Sequence, residues 1–149
     1  MNVNFIDQSN QRKFSNYKKD CNDIFNQCKE RFNLPKQTTV SCILVDDMTM
    51  HQYNHTYRNK DYATDVLTFV DDQDESYLGD VIINVVALEK QAKEYDHTIK
   101  REMCFLFAHG LLHTLGFDHQ NEQEEAIMIA HQKEILQHVS KRSYRKSNR

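Results

Sequence analysis

Three of the eight histidines fall within one short stretch whose spacing suits metal binding. The stretch reads HGLLHTLGFDH and begins at His109. Positions i and i+4 share a helix face, so His109 and His113 can reach the same ion. Gly116 permits a sharp backbone turn, after which His119 can return as a third ligand. Three protein ligands with a fourth position left open are typical of a catalytic zinc site.

The alternative is that these histidines are satisfied core residues. A lone H-x-x-x-H pair carries little information, since a chain of this composition yields about 0.4 such pairs by chance. His51 and His55 have the same spacing, with no third histidine after a glycine. Requiring the third histidine lowers the chance expectation to about 0.02, and imidazoles are costly in an apolar helix unless something satisfies them. We therefore predict a metal site.

The residue after the first histidine bears on the chemistry of that site. Metzincin-type proteases share the histidine spacing and carry a glutamate base at this position, where the present chain has Gly110. Three neutral imidazoles leave the full charge of a divalent ion in place, which suits an anionic substrate and polarises a bound water. Phosphodiester chemistry is favoured, and a metal-dependent hydrolase of peptides or amides is the alternative.

The surrounding pattern predicts the elements that position the histidines. Thr98 can cap a helix over 99–115, whose centre MCFLFA is apolar all round and is expected to be buried. Ser15 and Asp47 can cap two earlier helices, and Asn121 with Glu124 resembles the capping box of the last helix. Further helices are predicted over 14–32, after Asp47, and over 87–96 and 122–138; strands are predicted over 2–6, 40–45, 66–70 and 78–86. The fold class is α+β, a single domain with a roughly four-stranded mixed sheet packed with about five helices and the metal site at the end of a buried helix.

Composition excludes several classes of protein. The chain has 149 residues, 39% of them hydrophobic, which allows a core, while three glycines and one proline argue against low-complexity sequence. No segment is apolar enough for a secretory leader or a membrane span, so a cytoplasmic protein with no membrane partner is expected. The cysteines contain no C-x-x-C, so they are expected to be reduced core residues with no disulfide partner.

The histidine block resembles the H-G-x-L-H-x-x-G-[YF]-D-H signature of the YbeY family. The blocks NHTYR (54–58) and TDVLTF (64–69) resemble the family's N-x-x-Y-R and T-D-V-L-S-F, and GDVII (79–83) resembles its G-D-I-x-I strand. Arg101, Glu102 and Met128 also fall where the family has them. The resemblance covers roughly residues 40–138, and the departures from it, none of which removes a ligand, are Ala63, Thr68, Val70 and Thr114.

The resemblance implies a function and a set of site residues. YbeY proteins are bacterial rRNA maturation factors described as zinc-dependent single-strand endoribonucleases, which implies one Zn²⁺ per chain on the three histidines. It also implies RNA as substrate, 16S rRNA 3′-end maturation and ribosome quality control as the process, and the ribosome or small-subunit assembly factors as partners. A non-catalytic, zinc-stabilised ribosome-assembly factor is a further alternative, although structural zinc sites are usually closed by four protein ligands.

Arg58 is the residue that the resemblance assigns to RNA cleavage. An arginine can hold a phosphate with two parallel hydrogen bonds and stabilise the charge of the transition state. From the residues alone, an exposed arginine at a helix end is the simpler interpretation.

Asp118 is a second candidate, either orienting a ligand histidine or handling a proton, with a plain turn residue as the alternative. Asp65 is a weaker candidate, and Asp80 is interpreted as a strand-end residue. Gly79 and Gly116 are expected to serve backbone geometry.

Charge divides the chain at residue 140. The formal net charge is −3, but 141–149 (KRSYRKSNR) holds five of the 19 basic residues and no acidic one, which leaves −8 on 1–140. We predict a YbeY-like metallohydrolase domain over 1–140 and a disordered basic tail over 141–149. Cationic tail side chains can follow an RNA backbone, whereas the alternative is a solvated terminus; the candidates are Lys141, Arg142, Arg145 and Lys146.

Overall fold

A four-stranded mixed sheet organises the computed structural model, which describes residues 2–137. Its strands are β1 (Val3–Asp7), β2 (Thr39–Val45), β3 (Val66–Val70) and β4 (Tyr77–Asn84). The spatial order is β1-β2-β4-β3, in which β1, β2 and β4 run parallel and β3 runs antiparallel to β4. Strand β3 is therefore an edge strand.

Helices cover both faces of this sheet. They are a 3₁₀ helix (Arg12–Tyr17), α1 (Lys18–Arg31), α2 (Asp47–Arg58), α3 (Val85–Glu94), α4 (Ile99–Thr114) and α5 (Glu122–Leu136). Successive side chains of β4 point to opposite faces, so Val81 and Ile83 join the large core around α4 while Ile82 joins a smaller cluster beneath α2. Within residues 2–137 the predicted α+β fold, with its mixed four-stranded sheet and five α-helices, is confirmed.

Helix α4 is the buried centre of the molecule, as its apolar sequence predicts. Ten of its sixteen residues are buried, and it packs against β4, β3, α1, α3 and α5. The Thr98 hydroxyl accepts the Arg101 backbone N–H at 3.0 Å, which confirms the predicted cap. The Asn121 side chain caps α5 in the same way through the Glu124 N–H at 2.9 Å.

Two predicted helix starts are wrong. The Ser15 hydroxyl donates to the carbonyl of Arg12 inside the 3₁₀ helix, so it caps nothing, and α1 begins at Lys18. Helix α2 is capped by Asp46, whose carboxylate accepts the Thr49 N–H at 2.8 Å, while Asp47 is already inside the helix. Two adjacent aspartates offer nearly the same local signal, so the choice depends on where β2 ends.

Strand β4 ends two residues earlier than predicted. The side-chain oxygen of Asn84 accepts the backbone N–H groups of Val86 and Ala87, so α3 begins at Val85. The β-branched valines favour a strand by intrinsic preference, but the cap of Asn84 outweighs that preference.

All four cysteines are fully buried, as predicted for core residues. Burial raises the pKa of the Cys28 thiol to about 12, so this group stays protonated and unreactive at neutral pH. Across residues 2–137, no helix combines the length and apolarity that crossing a bilayer would need. The predicted boundary at residue 140 and the tail 141–149 lie outside the described residues.

Candidate metal centre

The turn after α4 brings the third histidine back to the helix. Gly116 has a φ of 96°, a left-handed conformation that produces the sharp turn predicted at this residue. Its N–H donates to the carbonyl of His113 at 3.1 Å, and the Phe117 N–H donates to the carbonyl of Leu112 at 3.0 Å. This pair of bonds is a Schellman motif, which closes the helix end and reverses the chain. His119 consequently lies beside the last turns of α4.

The three histidines form a cluster that could hold one metal ion. One ligand nitrogen from each of His109, His113 and His119 lies within 4.8 Å of the others. The Nε2 atoms of His109 and His113 are 3.1 Å apart. Two nitrogens bound tetrahedrally at about 2.05 Å from one ion would be about 3.3 Å apart, so the spacing fits a shared ion. His119 is exposed, and the centre therefore opens to solvent on its side.

The surroundings of His113 favour the neutral imidazole that metal binding requires. Burial lowers the pKa of His113 most, and the neighbouring His119 and Arg58 lower it further. Asp118 and a hydrogen bond with the Phe117 backbone act in the opposite direction on the pKa of His113. The backbone bond also restrains the ring, as partners of metal-bound histidines commonly do.

Arg58 is held at the edge of the sheet, where its charge acts on His113. It is the last residue of α2, which lies on the face opposite α4, and its Nη2 donates to the Thr68 carbonyl on edge strand β3 at 3.1 Å. Thr68 pairs with Val81, whose side chain contacts α4 at Gly110. The structure thus brings Arg58 within electrostatic range of His113.

A buried polar network holds the loop that follows Arg58. The Asn54 amide donates to the Thr64 hydroxyl at 3.1 Å, and the Asn84 amide donates to Asp47 at 2.8 Å and to the Thr64 carbonyl at 3.2 Å. Both asparagines are almost completely buried. A satisfied buried network of this kind fixes one conformation, here the path between α2 and β3. The sequence pattern contains Asn54 and Asn84 but assigns neither of them this role.

The acidic candidates occupy structural positions. Asp118 Oδ1 accepts the backbone N–H of His119 at 2.7 Å, so Asp118 braces the turn that carries a proposed ligand. Asp65 accepts the Val66 N–H at 2.8 Å and the Gln91 amide at 3.1 Å. Asp80 is not at a strand end, because it lies inside β4, where it accepts the hydroxyl of Tyr77.

Gly79 serves backbone geometry, as predicted. Its φ is 139°, and a Cβ at this position would overlap the Phe69 carbonyl oxygen.

The second histidine pair, His51 and His55, has the same spacing but forms no candidate metal site within residues 2–137. His51 Nε2 lies 2.8 Å from the Asp61 carboxylate on the exposed side of α2. Neither His51 nor His55 belongs to a group of three possible metal ligands within residues 2–137.

Gly110 explains why no glutamate follows the first histidine. A Cβ on Gly110 would overlap Cγ1 of Val81 and lie 3.2 Å from Cγ2, so a side chain here would press against β4. Glycine therefore allows α4 to approach the sheet closely.

We expect Gly110→Ala to lower the free energy of unfolding by about 1–2 kcal/mol, since the overlap costs more than the helix propensity that alanine gains. Urea unfolding measures this effect. The double variant Gly110→Ala, Val81→Ala should lose less free energy of unfolding than the two single variants lose together. Equal stability of Gly110→Ala and the wild type would contradict the close approach of α4 to β4 at Gly110.

An aromatic bracket supports the turn from the other side. The Phe117 ring lies 5.4 Å from the ring of Phe32 and 4.7 Å from that of His131, by centroid distance. Arg31 Nε donates to His131 Nδ1 at 2.8 Å, which requires that Nδ1 carry no proton. Sequence reasoning missed this bracket, because its aromatic members Phe32, Phe117 and His131 come from the residue after α1, the turn after α4 and helix α5.

The bracket should make stability depend on pH. Burial and the Arg31 charge lower the pKa of His131 below its usual value of about 6.5. The unfolded chain then binds the proton more readily, so the stabilisation is present above pH 6.5 and is lost as the pH falls through the folded pKa. We expect the free energy of unfolding of the wild type to fall relative to that of His131→Phe as the pH is lowered from 7.5 to 5.5 in urea titrations. If the difference between the two free energies of unfolding stays constant with pH, His131 does not have a lowered pKa in the folded protein.

The fold and the site together define an α+β protein with a three-histidine centre that could hold a metal ion and that lies within electrostatic range of an arginine. The family model described as Endoribonuclease YbeY matches residues 2–140. The Endoribonuclease YbeY of Mycoplasmopsis pulmonis is 39% identical over 93% of this chain and 96% of its own length. The protein of the same name from Geobacillus sp. is 37% identical over 92% and 95%, and that of Ureaplasma urealyticum serovar 10 is 43% identical over 78% and 77%.

This chain belongs to the endoribonuclease YbeY family. A solved structure agrees on the fold: the solution structure of TM1509 from Thermotoga maritima matches with a TM-score of 0.60 at 21% identity, covering 96% of this chain and 93% of that one. The resemblance first seen in the histidine block therefore extends over nearly the whole chain.

Proposed function

We propose that the protein is a zinc-dependent, single-strand-specific endoribonuclease that acts in 16S rRNA 3′-end maturation and ribosome quality control. The observation that carries the proposal is an open three-histidine cluster within electrostatic range of Arg58, in a chain whose relatives are named endoribonucleases. RNA is the substrate, and the ribosome or small-subunit assembly factors are the proposed partners. The proposed compartment is the cytoplasm.

The donor set favours zinc. His109, His113 and His119 would hold one Zn²⁺ per chain, since imidazole nitrogens suit this ion and three ligands leave a position open. When bound there, the ion would supply Lewis-acid chemistry and a positive charge for a phosphodiester.

Arg58 is the proposed phosphate-binding group. The Nη2–Thr68 bond fixes the guanidinium at the edge of β3, and the side chain is exposed, so its remaining donors can meet non-bridging phosphate oxygens. Held in this way, the cation stabilises the extra charge of the transition state more than that of the bound substrate.

Asp118 is the proposed positioning group next to His119. Its bond to the His119 N–H holds the turn, and its carboxylate is the candidate proton acceptor. Gly110 offers no base, and its contact with Val81 leaves no room for one. This arrangement favours phosphodiester over peptide hydrolysis.

A cleavage assay on metal-analysed protein tests the proposal. We expect the zinc-loaded protein to cut a single-stranded RNA oligomer internally, to leave the same sequence intact in a duplex, and to lose activity with a chelator. Hydrolysis of a peptide substrate but not of RNA would favour the other metallohydrolase. A zinc-stabilised protein that leaves RNA intact would favour the non-catalytic assembly factor.

The basic tail enters the proposal as an RNA contact. Lys141, Arg142, Arg145 and Lys146 would bind phosphates and release counterions, so a chain ending at residue 140 should bind RNA more weakly and with a flatter salt dependence. Equal affinity of both chains across a salt titration would remove the tail from the proposal.

A further inference from the structure

Tyr57 presents a large aromatic ring to solvent beside the proposed phosphate-binding group. It directly precedes Arg58 in the last turn of α2 and is 62% exposed. Tyrosine is enriched at binding interfaces because it joins a large apolar ring to a polar hydroxyl.

Two neighbours hold the Tyr57 ring without covering it by stacking. Tyr53, one turn earlier in α2, lies 6.2 Å away with an interplanar angle of 60°, and Phe69 of β3 lies 5.4 Å away at 77°. Since both angles are steep, neither ring lies parallel on Tyr57. The ring is held in place before binding and most of it is exposed, so a planar group can stack on its open side at little entropic cost.

The ring and the cation are anchored on consecutive residues of the edge strand. Arg58 bonds to the Thr68 carbonyl and Tyr57 packs on Phe69, so both contacts secure the end of α2 to β3. An apolar ring beside a cation matches the two parts of a nucleotide, its base and its phosphate. A base inside a duplex is stacked between its neighbours and cannot meet the ring, whereas an unpaired base can.

We propose that Tyr57 is a stacking platform for an unpaired nucleobase of the RNA substrate and thereby contributes to single-strand preference. This inference rests on the proposed function, because it names the part of RNA that the same site recognises. The residue binds the base, while Arg58 binds the neighbouring phosphate.

Binding without cleavage tests the inference on the full chain. Anisotropy of a labelled single-stranded RNA oligomer is measured in the presence of a chelator, next to an abasic ribose-phosphate oligomer of equal length. Tyr57→Leu should weaken binding of the base-bearing oligomer about 5- to 150-fold, as loss of one stacking contact does, and should leave binding of the abasic oligomer unaffected. Tyr57→Phe, which retains the ring, should stay within about twofold of the wild type.

Tyr95→Leu is the matched control. Tyr95 is also exposed, at 46%, but it follows α3 near the start of α4, away from the helix end that carries the histidines. Tyr95→Leu should bind the base-bearing oligomer as tightly as the wild type does. Urea unfolding should show that all three variants are folded. Unchanged RNA affinity in Tyr57→Leu, or equal wild-type affinity for both oligomers, would overturn the inference.

The two proposals fail in different ways. Base-dependent binding through Tyr57 by a protein that cuts no RNA would overturn the nuclease function and keep the stacking platform. Cleavage of RNA with the same affinity and single-strand preference in Tyr57→Leu would overturn the platform alone.

Discussion

His113→Ala should leave the protein without stoichiometric zinc and with at least about 100-fold less RNA cleavage, because loss of a mere hydrogen-bond partner of a ligand already costs about 10- to 100-fold. The two remaining histidines, one of them exposed, supply only two of the three protein ligands that a catalytic zinc ion needs. Elemental analysis after dialysis against zinc-free buffer, with cleavage measured on the same sample, checks both effects.

His51→Ala is the matched control for this loss. His51 begins a pair with the same i, i+4 spacing, but its ring faces Asp61 on the surface, where a single exposed polar contact contributes little to stability. We expect metal content and cleavage in His51→Ala to equal those of the wild type. Full zinc occupancy together with full cleavage in His113→Ala would rule out the three-histidine centre.

Arg58→Ala should reduce kcat for RNA cleavage about 100- to 1,000-fold, the usual cost of removing one group that stabilises transition-state charge. Zinc content should not change, since Arg58 binds the Thr68 carbonyl and is not among the three candidate ligands. Arg58→Lys should recover only part of the loss, because an ammonium keeps the charge but lacks the planar fork. Single-turnover cleavage at saturating protein separates this effect from weaker RNA binding.

Arg12→Ala provides the control for a general loss of positive charge. Arg12 is exposed in the 3₁₀ helix before α1, and its replacement lowers the net charge equally. We expect cleavage by Arg12→Ala to match the wild type. A similar loss of activity in both variants would mean that Arg58 acts through overall charge rather than through its position.

The geometry of the histidine centre is largely a local property of the chain. The i, i+4 spacing places His109 and His113 on one face whatever surrounds the helix, and Gly116 closes the helix by bonds within six residues. The caps at Thr98 and Asn121 are equally local, which is why both were predictable. Where two local signals competed, as at Asp46 and Asp47, the prediction was wrong by one residue.

The surroundings of the centre depend on contacts between distant segments. The bond between Arg58 and the Thr68 carbonyl joins α2 to the edge strand β3, and residue types alone favoured an ordinary surface arginine at this position. The bracket of Phe32, Phe117 and His131 and the network around Thr64 likewise join separate elements.

The amino-acid sequence by itself determined the histidine triad, the buried helix that carries it and the family to which the chain belongs. Only the tertiary structure decided the contacts around these elements: Arg58 on the Thr68 carbonyl, Tyr57 on Phe69, and Val81 against Gly110. The physical reason is the separation along the chain over which each kind of interaction acts. Helix periodicity and capping act over a few residues, whereas strand order and packing are set by the burial of side chains far apart in the chain.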